Sequence, residues 1–151
     1  MDIPLYTVGR TNIDNREPFP LASDMKMRWR RTPKEMAAEF AKTRTPQSDD
    51  EFFRACDLPD DDLARQSALA VRRTTAAYGR IDPEFIRPTD RYPEELTNLT
   101  GWDKIDFVDW LAELEAMLDE TLSDNADQWL ALEFSVKELV QTTDRIRRGE
   151  T

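Results

Sequence analysis

The sequence contains no histidine and a single cysteine, Cys56. Without histidine the chain cannot build Ser-His or Cys-His nucleophile pairs, and it lacks the commonest zinc ligand. One cysteine cannot form a disulfide within the chain, and without a basic partner we interpret Cys56 as a small buried hydrophobic residue. The sequence indicates no catalytic residue, and we expect that the protein is not an enzyme.

Glycine is also scarce: the four glycines are scattered and form no Gly-rich phosphate-binding loop. The acidic residues between Asp119 and Asp127 lack the spacing and the central glycine of an EF-hand calcium loop. A carboxylate di-metal site of the Glu-x-x-His type needs histidine. Paired acids could still perform acid–base chemistry, but their spacing singles out no pair. We therefore expect no metal and no cofactor.

Long hydrophobic runs are missing as well. No apolar run approaches the length of a membrane span, and the N-terminus has no signal-peptide hydrophobic region. We expect a soluble, cytoplasmic protein that is a monomer and does not bind membranes. At 151 residues, the chain has the size of one domain, or of a smaller domain with an extension.

The net charge of −10 arises in the second part of the chain. Residues 1–59 carry ten basic and ten acidic side chains, whereas residues 60–151 carry eleven basic and twenty-one acidic ones. This acidic field disfavours nucleic acid and favours the basic surface of another protein as a partner. The basic, aromatic run from Met25 to Arg31 has three interpretations: a nucleic-acid contact, a surface segment whose Trp29 packs on a neighbour, or a segment that docks on the chain's own acidic face.

Capping signals predict short helices before residue 60. Thr32 is a suitable N-cap, with Pro33 at the first helical position. Ser48 and Glu51 form a capping box that opens a second short helix. We assign residues 1–59 to an N-terminal extension with short helices.

The sequence pattern of residues 60–148 predicts a helical domain without β-strands. In the first helix, apolar and small side chains recur at helical spacing, and Gly79 is placed to end it at the C′ position. Ser135 and Glu138 form another capping box at the start of the last helix. The expected order is a helix over 60–78, a long loop with three prolines over 80–96, a helix over 103–118, a short helix over 124–133 and a last helix over 135–148. The fold class is therefore all-α.

The central helix, Asp103 to Leu118, has the strongest pattern in the chain. Asp103 is its predicted N-cap, and acidic side chains in the first turn suit the positive end of the helix dipole. One face is acidic, with Asp106, Asp109 and Glu113. The opposite, inner stripe comprises Phe107, Val108, Leu111, Leu114 and Leu118.

The same stretch resembles the second helix of acyl carrier proteins. That family reads roughly Gly-x-Asp-Ser-Leu-Asp-x-Val-Glu-Leu-x-x-x-Leu-Glu. The loop over 80–96 also resembles the family's loop after its first helix, with comparable residues at Ile81, Pro83, Ile86, Asp90 and Tyr92. The position of the family's modified serine, whose hydroxyl carries phosphopantetheine, is Lys104 in this chain. Lysine has no hydroxyl and cannot form that ester. The residues that match in register are Gly101, Asp103, Ile105, Asp106, Val108, Asp109, Leu114 and Glu115.

The resemblance implies an acyl-carrier-protein-like four-helix bundle over residues 60–148 that holds no prosthetic group. It also implies that the acidic face of the central helix meets basic patches on partner proteins, with Ile105 as an apolar anchor. The alternatives are that the acids only solvate the helix, that a carrier arm is attached elsewhere, and that the chain is an unrelated helical scaffold or regulatory protein. The expected partner-binding residues are Asp103, Lys104, Ile105, Asp106, Asp109, Glu113 and Glu115.

Overall fold

The computed structural model describes residues 31–102, 106–129 and 133–150, which are mostly helical, as the predicted all-α class requires. Two-residue strands, β1 (Arg91–Tyr92) and β2 (Phe134–Ser135), pair antiparallel, although the sequence predicted no strand. Short 3₁₀ helices occupy Pro83–Phe85, Leu96–Asn98 and Ser123–Trp129. The α-helices of the described residues are α1 (Pro33–Ala41), α2 (Asp49–Ala55), α3 (Asp62–Gly79), α4 (Phe107–Leu118) and α5 (Val136–Arg147).

The capping boxes predicted at Ser48 and Ser135 are both present. The Ser48 hydroxyl accepts a hydrogen bond from the backbone N–H of Glu51, whose carboxylate accepts one from the N–H of Ser48. Ser135 and Glu138 make the same reciprocal pair at the start of α5. Each box satisfies two backbone donors that a helix start leaves without partners. The starts of α2 and α5 are therefore confirmed.

The longest helix, α3, lies at the centre and packs against both α4 and α5. Asp61 caps it, because its carboxylate accepts a hydrogen bond from the N–H of Ala64 (2.8 Å). The predicted end is wrong by one residue: Gly79 is the last helical residue, and Arg80 takes the left-handed position with φ 55°. Gly79 is buried, and a Cβ there would lie 2.7 Å from Leu99 Cδ1, so close packing explains this glycine better than turn geometry.

Arg72 joins the helices before residue 60 to α3. It is 1% exposed, and its guanidinium donates hydrogen bonds to the Asp49 carboxylate (2.9 Å) and to the backbone oxygens of Gln47 (2.8 Å) and Ile86 (3.2 Å). One side chain thereby holds the start of α2 and the loop after α3 against α3 itself. The helices that we assigned to an extension pack in the same compact unit as the later ones, and that unit begins at Pro33.

A second arginine fixes the same loop. Arg44 donates two hydrogen bonds to the buried Asp90 carboxylate (2.7 and 2.9 Å) and one to the Phe85 backbone oxygen (3.0 Å). A two-pronged pair of this kind sets orientation as well as distance. The long loop is therefore a fixed part of the core, and Ile86 within it is fully buried.

None of the described helices combines the length and the apolar character that crossing a bilayer requires.

Candidate functional site

The central helix starts later than the sequence predicted. Asp106 has an extended backbone, and its carboxylate accepts hydrogen bonds from the N–H groups of Val108 (3.0 Å) and Asp109 (3.4 Å). An N-cap residue lies outside the helical conformation and satisfies the first free backbone donors in this way. The cap of α4 is therefore Asp106, and the prediction of Asp103 as its N-cap is wrong.

One member of the predicted inner stripe faces solvent. Val108 is 74% exposed, so its assignment to the core is wrong. The physical reason is Trp110, which is fully buried and packs edge-on against Trp129 at a centroid distance of 6.0 Å. A tryptophan buries more apolar area than a valine, and the helix turns that larger side chain inward. The inner side of α4 consists of Phe107, Trp110, Leu111, Leu114 and Leu118.

The outer side of α4 combines apolar and acidic residues. Val108 and Met117, at 74% and 47% exposure, are the exposed large hydrophobic side chains of the described chain. At 100° per residue they lie 180° apart, at the two edges of the solvent-exposed half of α4, and the alanines and acids lie between these edges. We call this surface the α4 face, and it comprises Asp106, Val108, Asp109, Ala112, Glu113, Ala116 and Met117.

The acids of the α4 face make no ion pair with any described residue, whereas many acids elsewhere are paired. Asp106, Asp109 and Glu113 therefore retain their mutual repulsion, and a basic group brought to this face would relieve it. The paired acids elsewhere include Asp49 with Arg72, Asp50 with Arg65, Asp57 with Lys137, Asp61 with Arg148, Asp90 with Arg44 and Glu120 with Arg147.

Tyr78, at the end of α3, lies within the field of these acids. The pKa of its phenol is raised, first by partial burial and then by the negative charges of Asp109, Glu113 and Asp106. Both causes disfavour the charged tyrosinate. The charges of α4 therefore act on a side chain of α3, the helix against which α4 packs.

Glu115 has a structural role at the end of α4. Its carboxylate accepts hydrogen bonds from the backbone N–H groups of Leu122 (2.6 Å) and Ser123 (2.8 Å). These two bonds lower the pKa of Glu115 because they favour the charged carboxylate. Because its Oε2 already holds the segment after α4, Glu115 has less capacity for a partner than Asp109 or Glu113.

Residues 103–105 lie outside the described residues, but both flanks of this segment are well anchored. Trp102 is fully buried, and its indole N–H donates to the backbone oxygen of Thr75 (3.0 Å). Trp102 and Phe107 both pack on Phe134, at centroid distances of 6.3 and 6.2 Å. The structure thus fixes the points at which the chain enters and leaves the segment. The predicted site residues in it are Asp103, Lys104 and Ile105.

Gly101 allows the close approach that precedes this segment. Its φ is +94°, and a Cβ at this position would lie 2.3 Å from the backbone oxygen of Tyr78. An L-residue would be strained by the backbone angle and would also collide with α3. The sequence analysis singled out Gly101 only as a match to the carrier pattern, and the structure adds a steric reason for it.

The described residues provide little for chemistry. Cys56 is fully buried, and burial raises the pKa of its thiol to about 12, so the thiol stays protonated at neutral pH. Within residues 31–102, 106–129 and 133–150, no cluster of three His, Cys, Asp or Glu side chains is placed to hold a metal ion.

Sequence reasoning missed the two apolar members of the α4 face. Val108 matched the inner stripe, and Met117 stood outside every pattern that we used. Trp110 could have indicated that Val108 is exposed. At 100° per residue, Val108 and Trp110 lie 200° apart around the helix, so both cannot point fully inward.

The chain was compared with protein-family models, with curated proteins and with solved structures, and none of them matches it.

Proposed function

We propose that this protein is a carrier-like helical domain that holds no prosthetic group and acts by binding another protein through the α4 face. The supporting observation is the solvent-exposed half of α4, where Val108 and Met117 stand at the two edges and Asp109 and Glu113, acids without an ion pair in the described chain, lie between them. The partner presents basic groups to these acids and apolar groups to Val108 and Met117.

The two kinds of side chain contribute differently to such an interface. Burying an exposed valine or methionine side chain stabilises a complex by about 1–2 kcal/mol. The acids contribute mainly to the association rate and to partner choice, because charges at a rim steer the encounter and penalise acidic partners. A partner without basic groups would bind Val108 and Met117 more slowly and less selectively.

The carrier-like part of the proposal rests on the order of elements and on Gly101. Helix α3, a long fixed loop, helix α4, a short 3₁₀ helix and helix α5 follow the order expected from the resemblance. Lys104 provides an amine where a carrier needs a hydroxyl. Mass spectrometry of the protein purified from its native cell, and again after incubation with a phosphopantetheinyl transferase and coenzyme A, tests this part. We expect the unmodified mass in both samples, and a gain of one phosphopantetheine would refute the proposal.

Charge reversal tests the binding surface. The informative variant is Asp109→Lys/Glu113→Lys, because Asp106 caps α4 and its replacement would cost about 1 kcal/mol of stability for an unrelated reason. The matched control is Asp82→Lys/Glu84→Lys, which changes the net charge equally at two exposed acids of another surface. Circular dichroism establishes that both variants are folded before they are compared.

The readout is quantitative capture of proteins from lysate by wild type and both variants. We expect at least one identified protein to bind wild type and the Asp82/Glu84 control and to be depleted at least about tenfold by the α4 variant, a loss that two or three rim charges can produce. Equal recovery of all proteins by the three baits would contradict the proposal.

A further inference from the structure

A groove continues the α4 face onto α3. It has a volume of about 450 Å³ and lies between the first half of α3 and the C-terminal end of α4. Met117 belongs to both surfaces, since it is exposed on α4 and also lines the groove. The apolar lining consists of Leu69, Ala70, Met117 and Leu118.

Arginines of α3 form the opposite rim of this groove. The Arg65 guanidinium stacks 4.5 Å from the Phe53 ring centroid and lies 3.2 Å from the Asp50 carboxylate. Arg73 is half exposed and only 3.6 Å from Asp49, a loose pair that an incoming carboxylate can replace. Side chains held in place in this way lose less conformational entropy when they bind.

The two helices run antiparallel, which fixes the order of charges along their seam. The Thr74 hydroxyl lies 3.8 Å from Met117 Sδ, while Tyr78 lies in the field of Asp109 and Glu113. The seam is therefore acidic at one end and apolar at Met117, and its other end carries two arginines, Arg65 and Arg73, with Asp62 at its edge. At 1.5 Å per residue, the distance from Asp109 to Arg65 along the helices is roughly 25 Å, the length of about 17 helical residues.

We propose that the groove and the α4 face together hold one amphipathic helix of the partner protein. Its apolar side covers Met117 and Leu69, and its basic end meets Asp109 and Glu113. Its acidic half begins at Arg73, beside Thr74 and Met117, and extends to Arg65. Apolar anchors at helical spacing in a groove are an established way of recognising a helix. This inference rests on the proposed function and adds the secondary structure and charge order of the partner segment.

Synthetic helical peptides of about 18 residues are suitable probes, since they match the length of the seam. A bipolar peptide has lysines in its first half, glutamates in its second half and leucines along one side. An all-basic peptide has the same leucines with lysine at every charged position. Fluorescence anisotropy gives the affinity of each peptide for wild type, for Arg73→Glu, for Asp109→Lys/Glu113→Lys and for Arg145→Glu, a control at an exposed arginine of α5.

We expect the bipolar peptide to bind wild type more tightly than the all-basic one. Arg73→Glu should weaken the bipolar peptide roughly threefold to tenfold, the effect of one or two exposed ion pairs, and Arg145→Glu should not. The all-basic peptide could instead bind more tightly, with an affinity that Arg73→Glu does not change and that the Asp109/Glu113 variant loses. This result would refute the role of the groove and leave the α4 face as the binding surface. If neither peptide distinguishes wild type from the Asp109/Glu113 variant, the proposed function fails as well.

Discussion

Replacing Gly101 by alanine should strongly destabilise the fold. An L-residue at φ +94° costs about 1–2 kcal/mol in backbone strain. The new Cβ would also lie 2.3 Å from the Tyr78 backbone oxygen, so the loop or the end of α3 must move. Forcing one carbon into a packed site costs about 1–3 kcal/mol. Together these terms predict a loss of about 3 kcal/mol in the free energy of unfolding.

Gly149 provides the matched control. Its φ is +75°, and a Cβ there would meet nothing within 4 Å, so Gly149→Ala has the backbone cost without the collision. It is exposed just after α5, where the backbone can adjust, and we expect a loss of at most about 1 kcal/mol. The difference between the two variants isolates the contact between Gly101 and α3.

Urea unfolding followed by circular dichroism measures both changes, and thermal unfolding gives a second reading. At about 3 °C per kcal/mol for a chain of this size, Gly101→Ala should lower Tm by roughly 10 °C and Gly149→Ala by roughly 3 °C or less. Equal effects of the two substitutions would refute the close approach of Gly101 to α3.

Further predictions concern single side chains of the core and the loops. Arg72→Met should lower the free energy of unfolding by about 2–4 kcal/mol, because it leaves the backbone oxygens of Gln47 and Ile86 without these donors. The control Arg73→Met, at the next residue, which is half exposed, should lower it by under about 0.5 kcal/mol. Urea unfolding measures both changes. The pKa of Glu115 is lowered in the folded state, so its contribution to stability is present above the unfolded carboxyl pKa and is lost as pH falls through the folded value. The urea midpoint of wild type should therefore decrease below about pH 4.5, and that of Glu115→Gln should decrease less steeply. Parallel pH profiles of the two proteins would contradict this. With its thiol pKa raised to about 12 by burial, Cys56 should react with Ellman's reagent only as fast as the protein unfolds, and immediate reaction of the native protein would contradict its burial.

Local signals predicted the helices well, because a capping box is complete within four residues. Ser48 with Glu51 and Ser135 with Glu138 fix the starts of α2 and α5 without help from the rest of the chain. The start of α4 could not be decided in this way, since Asp103 and Asp106 each have an acid three residues later and both suit an N-cap.

Long-range packing decided the features that the sequence did not reveal. Val108 is exposed because Trp110 occupies the core beside Trp129, an aromatic contact between residues far apart in the chain. The pairing of β1 with β2 involves two residues on each side, too few for an alternating pattern to be recognised. The sequence pattern predicts Arg72 as an exposed residue of a long helix, and its burial depends on three acceptors from two separate segments.

Site-specific photo-crosslinking in the native cell tests the α4 face most directly. A photoreactive residue replaces Val108, which is 74% exposed, or Glu84, an exposed control position away from α4. We expect a discrete adduct with another protein from position 108, absent from position 84 and lost when Asp109→Lys/Glu113→Lys is added. The absence of any adduct at position 108 beyond that at position 84 would contradict the binding of a partner through this face.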